Sequence, residues 1–503
     1  MPSEIAVIVR VMSQLRGTSK GTRRVSAKAA PTAQLQKVTI VADDPSLTPY
    51  GGSLVVGELC RRLGLVGALD EAIDGASRVG PFKQRRRGAS AGELLVSMAE
   101  SMLAGGDAFN DIERLRADQA GAELRAVAQV PAASTAAQLC RRLRRTHLRA
   151  AEGALARVGD ALDAQLGRDL AAPVTLDFDS TLVEVYGRRK PGAARAYTGQ
   201  LAYQPLLGVW AERGRVLAGE LLSGSDSTRR DDTIALVRRA IGLLPAGHGP
   251  VAARFDSGFY RVDLLRQLRR RGVSFSISLP RSGAMWKALA TIAESGWREA
   301  IDFPDAEVAE VDYRPEGWEH EPLRLVIRRV AYAAESVAAD PRSRRRRTIP
   351  RTQLSLVEAG EASTAWGYSF VLADMPGDPE SVEHFHRGRA QIEERIKDHK
   401  LGVSLCHLPA SDLEANRAWL FASSLALNLL AMLSDLAFGP DPDPRLPRRR
   451  QAKFLRRMLL CVPARLVRHA RQLILRLPAG LAGAESLARA YQRARGLSPP
   501  LAA

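Results

Sequence analysis

The hydrophobic period changes about a third of the way along this chain, and that change limits its fold more than any other feature. From about residue 53 to 167 apolar residues recur at helical spacing, as in Val55-Val-Gly-Glu-Leu-Cys-Arg-Arg-Leu. A second run, Ser90-Ala-Gly-Glu-Leu-Leu, opens with the Ser-x-x-Glu signal of a capped helix start. After Ala171-Ala-Pro the spacing drops to two. Val174, Leu176 and Phe178 share one face of an expected strand, and Thr175, Asp177 and Asp179 share the other. Two carboxylates on one strand face repel each other unless a cation or solvent takes up their charge.

Strand and helix signals then alternate, which calls for an α/β domain behind an all-helical region. Residues 206–210 and 216–222 are strand-like, with Glu212-Arg-Gly-Arg as the turn between them, and 228–244 reads as a helix. Val251-Ala-Ala-Arg-Phe-Asp-Ser-Gly-Phe-Tyr is a short strand ending on Asp256, then a Ser257-Gly258 turn into a helix through about 271. A carboxylate at such a junction is where α/β folds put chemistry, although a lone Asp there equally satisfies the turn. Val273-Ser-Phe-Ser-Ile-Ser-Leu-Pro alternates as a further strand.

From about 281 to 363 the texture changes to a β-rich insertion with an exposed basic loop, Arg342-Ser-Arg-Arg-Arg-Arg. Trp366-Gly-Tyr-Ser-Phe-Val-Leu-Ala-Asp returns to a core strand. The expected organisation is a basic flexible arm (1–45), a helical DNA-binding region (50–167), a core split between 171–280 and 364–437, the insertion (281–363) and a C-terminal helical region with its tail (438–503). Within the last third, helices are expected near 411–437 and 451–475, with a Pro- and Arg-rich linker at 441–450 and a marginal tail from 476.

Between the core strand and those helices lies Phe385-His-Arg-Gly-Arg-Ala-Gln-Ile-Glu-Glu-Arg-Ile-Lys-Asp-His-Lys, whose composition suits a helix. At about 100° per residue, His386, Arg389, Glu393 and Lys400 fall in one stripe about 60° wide, while Glu394 points elsewhere. A salt-bridged surface helix would also carry such charges. With Asp179 and Asp256, however, Glu393 makes a third acid on a separate element. Hard divalent cations take oxygen ligands, and such a set can hold two Mg²⁺ ions, with Mn²⁺ as a substitute.

The charge balance points to the same kind of partner. There are 73 Lys and Arg against 55 Asp and Glu, a net charge of +18, which suggests a polyanion such as nucleic acid. Arginine-rich coding in a GC-rich genome produces part of such a bias. The first 40 residues carry Lys or Arg at 10, 16, 20, 23, 24, 28 and 37, an arm suited to a phosphate backbone. The run after Ser134, Thr-Ala-Ala-Gln-Leu-Cys-Arg-Arg-Leu-Arg-Arg, reads as a short helix with a cationic end, in the manner of a recognition helix. Cys60, Cys140, Cys406 and Cys461 form no Cys-x-x-Cys pair, which fits a reducing cytoplasm. The longest apolar run, 418–433, contains Ser423, Ser424 and Asn428 and is expected as a buried helix with no membrane partner.

Taken together these motifs resemble a bacterial insertion-sequence DDE transposase. The third acid of one branch sits in a Tyr-x2-Arg-x3-Glu-x6-Lys signature, and this chain has His386-x2-Arg389-x3-Glu393-x6-Lys400. Asp179-Ser-Thr181 matches the block of the first acid, and Asp256-Ser-Gly-Phe-Tyr260 that of the second. With Arg387-Gly-Arg and Ile396-Lys-Asp these point to the insertion-sequence group numbered 1380, over roughly residues 50–475. His386 stands where the family has Tyr, so an aromatic hydroxyl is missing there.

The resemblance implies an RNase H-like catalytic core, a mixed sheet flanked by helices, with the β-rich insertion between the second Asp and the Glu. It implies catalytic, metal-binding roles for Asp179, Asp256 and Glu393, and DNA-phosphate contacts from His386, Arg389 and Lys400. It selects Asp179 over Asp177, which periodicity leaves open. Relatives that cut through a DNA hairpin stack a flipped base on a Trp of the insertion, for which Trp286 and Trp318 are the candidates beside their ordinary role as core residues. The implied activity is cut-and-paste transposition: binding of terminal inverted repeats, Mg²⁺-dependent cleavage and strand transfer into target DNA, by a homodimer in the cytoplasm at the nucleoid. A decayed or domesticated element acting as a DNA-binding protein is the alternative, and a stand-alone metal-dependent nuclease a third.

Overall fold

A computed structural model describes residues 40–77, 82–83, 87–187, 190–225, 231–340, 342–439 and 450–499. The expected basic arm up to residue 39 and the expected linker at 441–449 lie outside the described residues.

The helical block forms as its spacing requires, in Ser53–Arg62, Leu65–Gly75, Ala91–Leu103, Ala133–Cys140 and Arg145–Gln165. Ser90 caps the third of these. Its hydroxyl accepts from the Glu93 N–H at 3.1 Å, and Glu93 Oε2 accepts from the Ser90 N–H at 2.8 Å, so two donors that the helix start leaves unpaired are satisfied.

Eight strands build most of the main sheet: β1 (Val174–Ser180), β2 (Leu201–Trp210), β3 (Arg215–Ser223), β4 (Val251–Phe255), β5 (Ser274–Leu279), β6 (Ala306–Tyr313), β7 (Leu323–Ala333) and β8 (Thr364–Asp374). Side by side they run β3–β2–β1–β4–β5–β8–β7–β6. β1, β4 and β5 are parallel to one another, and the remaining neighbours are antiparallel. The parallel pairs need crossovers, and the helices Asp231–Gly242 and Val262–Arg269 lie in the two intervening segments.

Both faces are covered. On one, Phe178, Phe255 and Phe275 pack with Leu236 and Leu265 of those crossover helices. On the other, Leu207 and Val209 join a core with Leu155 of Arg145–Gln165 and Leu425 of Leu413–Phe438. This 26-residue helix is long and apolar enough to cross a membrane by length and composition, but 83% of its apolar window is buried inside the protein. The outer edge at β3 is closed by side chains. Asn428 Oδ1 accepts from the Val216 N–H at 2.8 Å while its amide donates to the Val216 carbonyl, and Glu152 and Arg239 do the same for Gly219 at 2.8 and 2.9 Å. No free ladder remains at those residues for another strand.

Strands β6 and β7, in the expected β-rich insertion, continue the main sheet through β8. Two expectations for the C-terminal part differ from the structure. The helix expected over 451–475 is instead a short helical stretch from Ala452 to Leu460 followed by a hairpin, Ala464–His469 with Gln472–Arg476. The tail is ordered as the helix Ala484–Arg495, burying Leu487, Ala490, Tyr491 and Ala494. That helix packs on Ser53–Arg62, and the hairpin pairs with the strand Leu47–Thr48.

Candidate active site

Because β1 and β4 are parallel, their C-terminal ends open at the same edge of the sheet. Phe178 is level with Phe255 in the register, and their rings stack at 5.0 Å between centroids. The residues next in line are Asp179 and Asp256, so two carboxylates emerge side by side from an apolar floor. Asp179 Oδ1 accepts from the Ser180 N–H at 2.7 Å, and Asp256 Oδ1 accepts from the Gly258 N–H at 2.9 Å as the cap of the turn Ser257–Phe259. Burial and then the neighbouring Asp256 push the Asp179 carboxyl up to about 6. Burial also raises Asp256, against the lowering influence of the Arg389 cation. Two half-buried acids, one of which opposes the ionisation of the other, suit a site that takes up positive charge.

Asp177, two residues earlier, is not part of that site. It is 2% exposed, and its two oxygens accept from Arg254 of β4 at 2.6 and 2.8 Å. The same guanidinium donates to the Phe385 carbonyl at 2.8 Å and lies over the Phe385 ring. Arg254 was not singled out from the sequence, although an Arg on a strand expected to be buried is itself a signal of a buried partner.

Arg254 also accounts for the glycine within the expected helix over 385–400. That stretch forms two helices, Pro379–Arg387 and Ala390–Gly402, with Gly388 and Arg389 between them. A Cβ on Gly388 would lie 2.4 Å from Arg254 Nη1, so only glycine lets the guanidinium in. His386 lies in the first of these helices and faces β5, whereas Arg389, Glu393 and Lys400 follow Gly388. Its ring nitrogens lie 2.8 Å from Ser276 Oγ and 2.8 Å from Ser278 Oγ on β5, and burial lowers its pKa to about 3. His386, expected at a DNA phosphate, is thus buried with both ring nitrogens turned toward the sheet.

The other stripe residues do meet the acids. Arg389 Nη1 lies 3.4 Å from Asp179 Oδ2 and its Nη2 3.6 Å from Glu393 Oε1, which links the second helix to β1. Lys400 Nζ donates to the Leu182 carbonyl at 3.0 Å and contacts Thr181 Oγ1 at 3.3 Å, tying the helix end to the segment leaving β1. The Glu393 side chain is 67% exposed. Among the described residues no three His, Cys, Asp or Glu side chains are already gathered at metal-ligand spacing. The donor chemistry nonetheless fits a hard divalent cation: oxygen ligands only, on two rigid strand ends, in a pocket of excess negative charge.

Several other residues expected at DNA have partners within the protein. Trp318 is 3% exposed with its indole N–H on the Glu321 carbonyl, and Trp286 packs edge-on against Tyr368 and Phe370, so both serve the core. In the cationic run after Ser134, the helix ends at Cys140. Arg142 donates to the Phe82 carbonyl, and Arg145 pairs with Glu220 at 2.8 Å. In the basic loop of the insertion, Arg345 lies over the Tyr332 ring and Arg346 pairs with Glu358.

The fold and site define a mixed α/β protein with paired acids at the ends of two adjacent parallel strands of a helix-flanked sheet. The chain belongs to the Transposase DDE domain group 1 family, whose model matches residues 30–499, and it is a DDE transposase in that sense. No curated protein sequence matches it. Among solved structures, a piggyBac transposase synaptic complex with hairpin DNA, determined by cryo-electron microscopy, is 11% identical, with 80% of this chain and 78% of that one covered. Its TM-score is 0.38, too low for any feature of that protein to be carried over.

Proposed function

We propose that this protein binds the terminal inverted repeats of an insertion sequence and carries out cut-and-paste transposition, cleaving the element's ends and joining their 3′-hydroxyls to target DNA. The observation that carries this reading is the emergence of Asp179 and Asp256 from neighbouring parallel strands with Arg389 between Asp179 and Glu393. The strand order β3–β2–β1–β4–β5, with β2 antiparallel, supports an RNase H-like core. The Arg389-x3-Glu393-x6-Lys400 spacing supports the Tyr-Arg-Glu-Lys signature and the group numbered 1380.

Asp179, Asp256 and Glu393 would hold two Mg²⁺ ions, or Mn²⁺ in their place, a rotation of the exposed Glu393 side chain completing the set. When bound, divalent ions supply Lewis acidity to both oxygens of an in-line exchange at phosphorus. Arg389, released from the carboxylates, is placed to hold a DNA phosphate, and Lys400 fixes the helix against the end of β1. Synapsis of two ends calls for a homodimer on double-stranded DNA, working at the nucleoid in the cytoplasm. The helical region 50–167 would contribute end binding.

The test is incubation of the protein with flanking DNA ends and Mg²⁺, scoring nicks, hairpins and joined products. Asp179→Asn and Asp256→Asn should lose product by at least about a thousandfold while retaining end binding. Specific end binding with no cleavage by the wild-type protein under any divalent ion would favour a domesticated DNA-binding protein instead.

A further inference from the structure

Beyond the end of β1, the chain builds a small finger that the catalytic reading leaves unused. Strand β2 is longer than β1 at this edge. Leu207 faces Asp179, and the strand runs six further residues back to Leu201, about 20 Å past the acids. Two short strands flank that projecting end, Val183–Glu184 on one side and Ala194–Arg195 on the other. The finger therefore stands on the same open edge as Asp179 and Asp256.

Tyr186 and Tyr197 occupy its end, 77% and 93% exposed, the most exposed aromatic side chains among the described residues. Single exposed aromatics are ordinary, but these are paired on one element and held out by anchors. Val185, beside Tyr186, is 5% exposed and donates its N–H to the Leu201 carbonyl; Ala196, beside Tyr197, is 6% exposed and donates to the Gln200 carbonyl. Further along, Tyr203 Oη donates to the Pro191 carbonyl and Lys190 Nζ to the Leu408 carbonyl, each at 2.6 Å. The backbone is thus pinned while two rings with few rotatable bonds face solvent, an arrangement with little ordering entropy left to lose on binding. Arg195, also exposed, places a cation on the same finger.

We propose that Tyr186 and Tyr197 form a stacking platform for unpaired bases of the DNA strand that passes the active site. A strand in duplex DNA advances about 3.4 Å per nucleotide and an unpaired strand spans more, so the platform meets bases within about six nucleotides of the phosphate at Asp179. Flat aromatic faces beside a cation suit bases that have left the duplex, in any sequence. The proposal rests on the transposase reading for the presence of DNA at this edge, and on the finger alone for how that DNA is held.

The experiment uses the full chain and a fluorescein-labelled oligothymidylate of about 20 nucleotides, beside a duplex of the same length. Tyr186→Ala and Tyr197→Ala should each weaken oligothymidylate binding by about fivefold or more and duplex binding by less than about twofold, while the Phe variants bind like wild type. Alanine variants that bind oligothymidylate as wild type does, or Phe variants as weak as Ala, would overturn the platform. Mg²⁺-dependent cleavage of element ends is scored alongside. Cleavage with no tyrosine effect removes the finger alone, whereas a tyrosine effect without cleavage by the wild type removes the catalytic reading and keeps the finger.

Discussion

Asp177 and Arg254 face each other across the parallel strands β1 and β4 as a buried two-point ion pair, at 2.6 and 2.8 Å. The pair separates two acids that a single strand face leaves equivalent. Asp177 belongs to the framework and Asp179, two residues on, to the open edge.

That division can be measured. Asp177→Asn leaves the Arg254 charge buried without its counterion and should destabilise the protein by about 3–5 kcal/mol in denaturant unfolding. Asp179→Asn removes a carboxylate that burial and Asp256 already disfavour, so it should not lower stability in metal-free buffer. Equal losses of stability from the two variants would refute the assignment.

Gly388→Ala tests the contact between the helix break and Arg254. The backbone at Gly388 has φ −55°, which any residue adopts, so the requirement is space. A methyl group 2.4 Å from Arg254 Nη1 should displace the guanidinium from the Phe385 carbonyl, cost about 1–3 kcal/mol, and shift the helix that carries Glu393. Thermal unfolding and cleavage assays should fall together; unchanged unfolding would show that Arg254 has room elsewhere.

Glu100 gives the pH dependence. It is 4% exposed in the helix Ala91–Leu103, with Oε1 accepting from the Ala126 N–H and Oε2 without a hydrogen-bond partner. Burial, the largest cause, raises its pKa from 4.5 to about 7. The folded state then holds the proton more tightly than the unfolded state, so this residue's contribution falls as pH rises from 4.5 to about 7 and is level above that. Glu100→Gln should remove that slope and be the more stable protein at pH about 8, by up to about 3 kcal/mol. Parallel stability–pH curves for the two proteins would count against a protonated Glu100.

Divalent ions should stabilise the protein without DNA. Mg²⁺ or Mn²⁺ at about 100 times its dissociation constant adds about 2.7 kcal/mol to a protein that binds it only when folded. The rise in melting temperature should disappear in Asp179→Asn and Asp256→Asn and persist in His386→Gln, whose side chain faces Ser276 and Ser278. A full rise in Asp256→Asn would place the ion elsewhere.

Much of the site edge was legible because its signals are local. The alternation ending at Asp179 and the Asp256-Ser-Gly turn are set by neighbours in sequence, and both form. The failures are of another kind. Gly388 reads as a tolerated helix residue until Arg254 is known to approach it from β4. Nothing in the one-residue-per-100° stripe warns that His386 lies on the far side of that break. The C-terminal hairpin was missed because its turn residues are Ala470 and Arg471, at φ 46° and 62°, where Asn and Gly ordinarily announce such a turn. Periodicity leaves Asp177 and Asp179 equivalent, and the physical reason for preferring Asp179 is the strand register that puts Arg254 opposite Asp177.

The pairing of Leu47–Thr48 with the C-terminal hairpin, and of Ser53–Arg62 with Ala484–Arg495, has a meaning for synthesis. A segment made early, Ser53–Arg62, completes its packing on one made several hundred residues later, Ala484–Arg495. During translation the helical layer waits with part of its apolar surface uncovered, and a prematurely ended chain would keep that surface exposed.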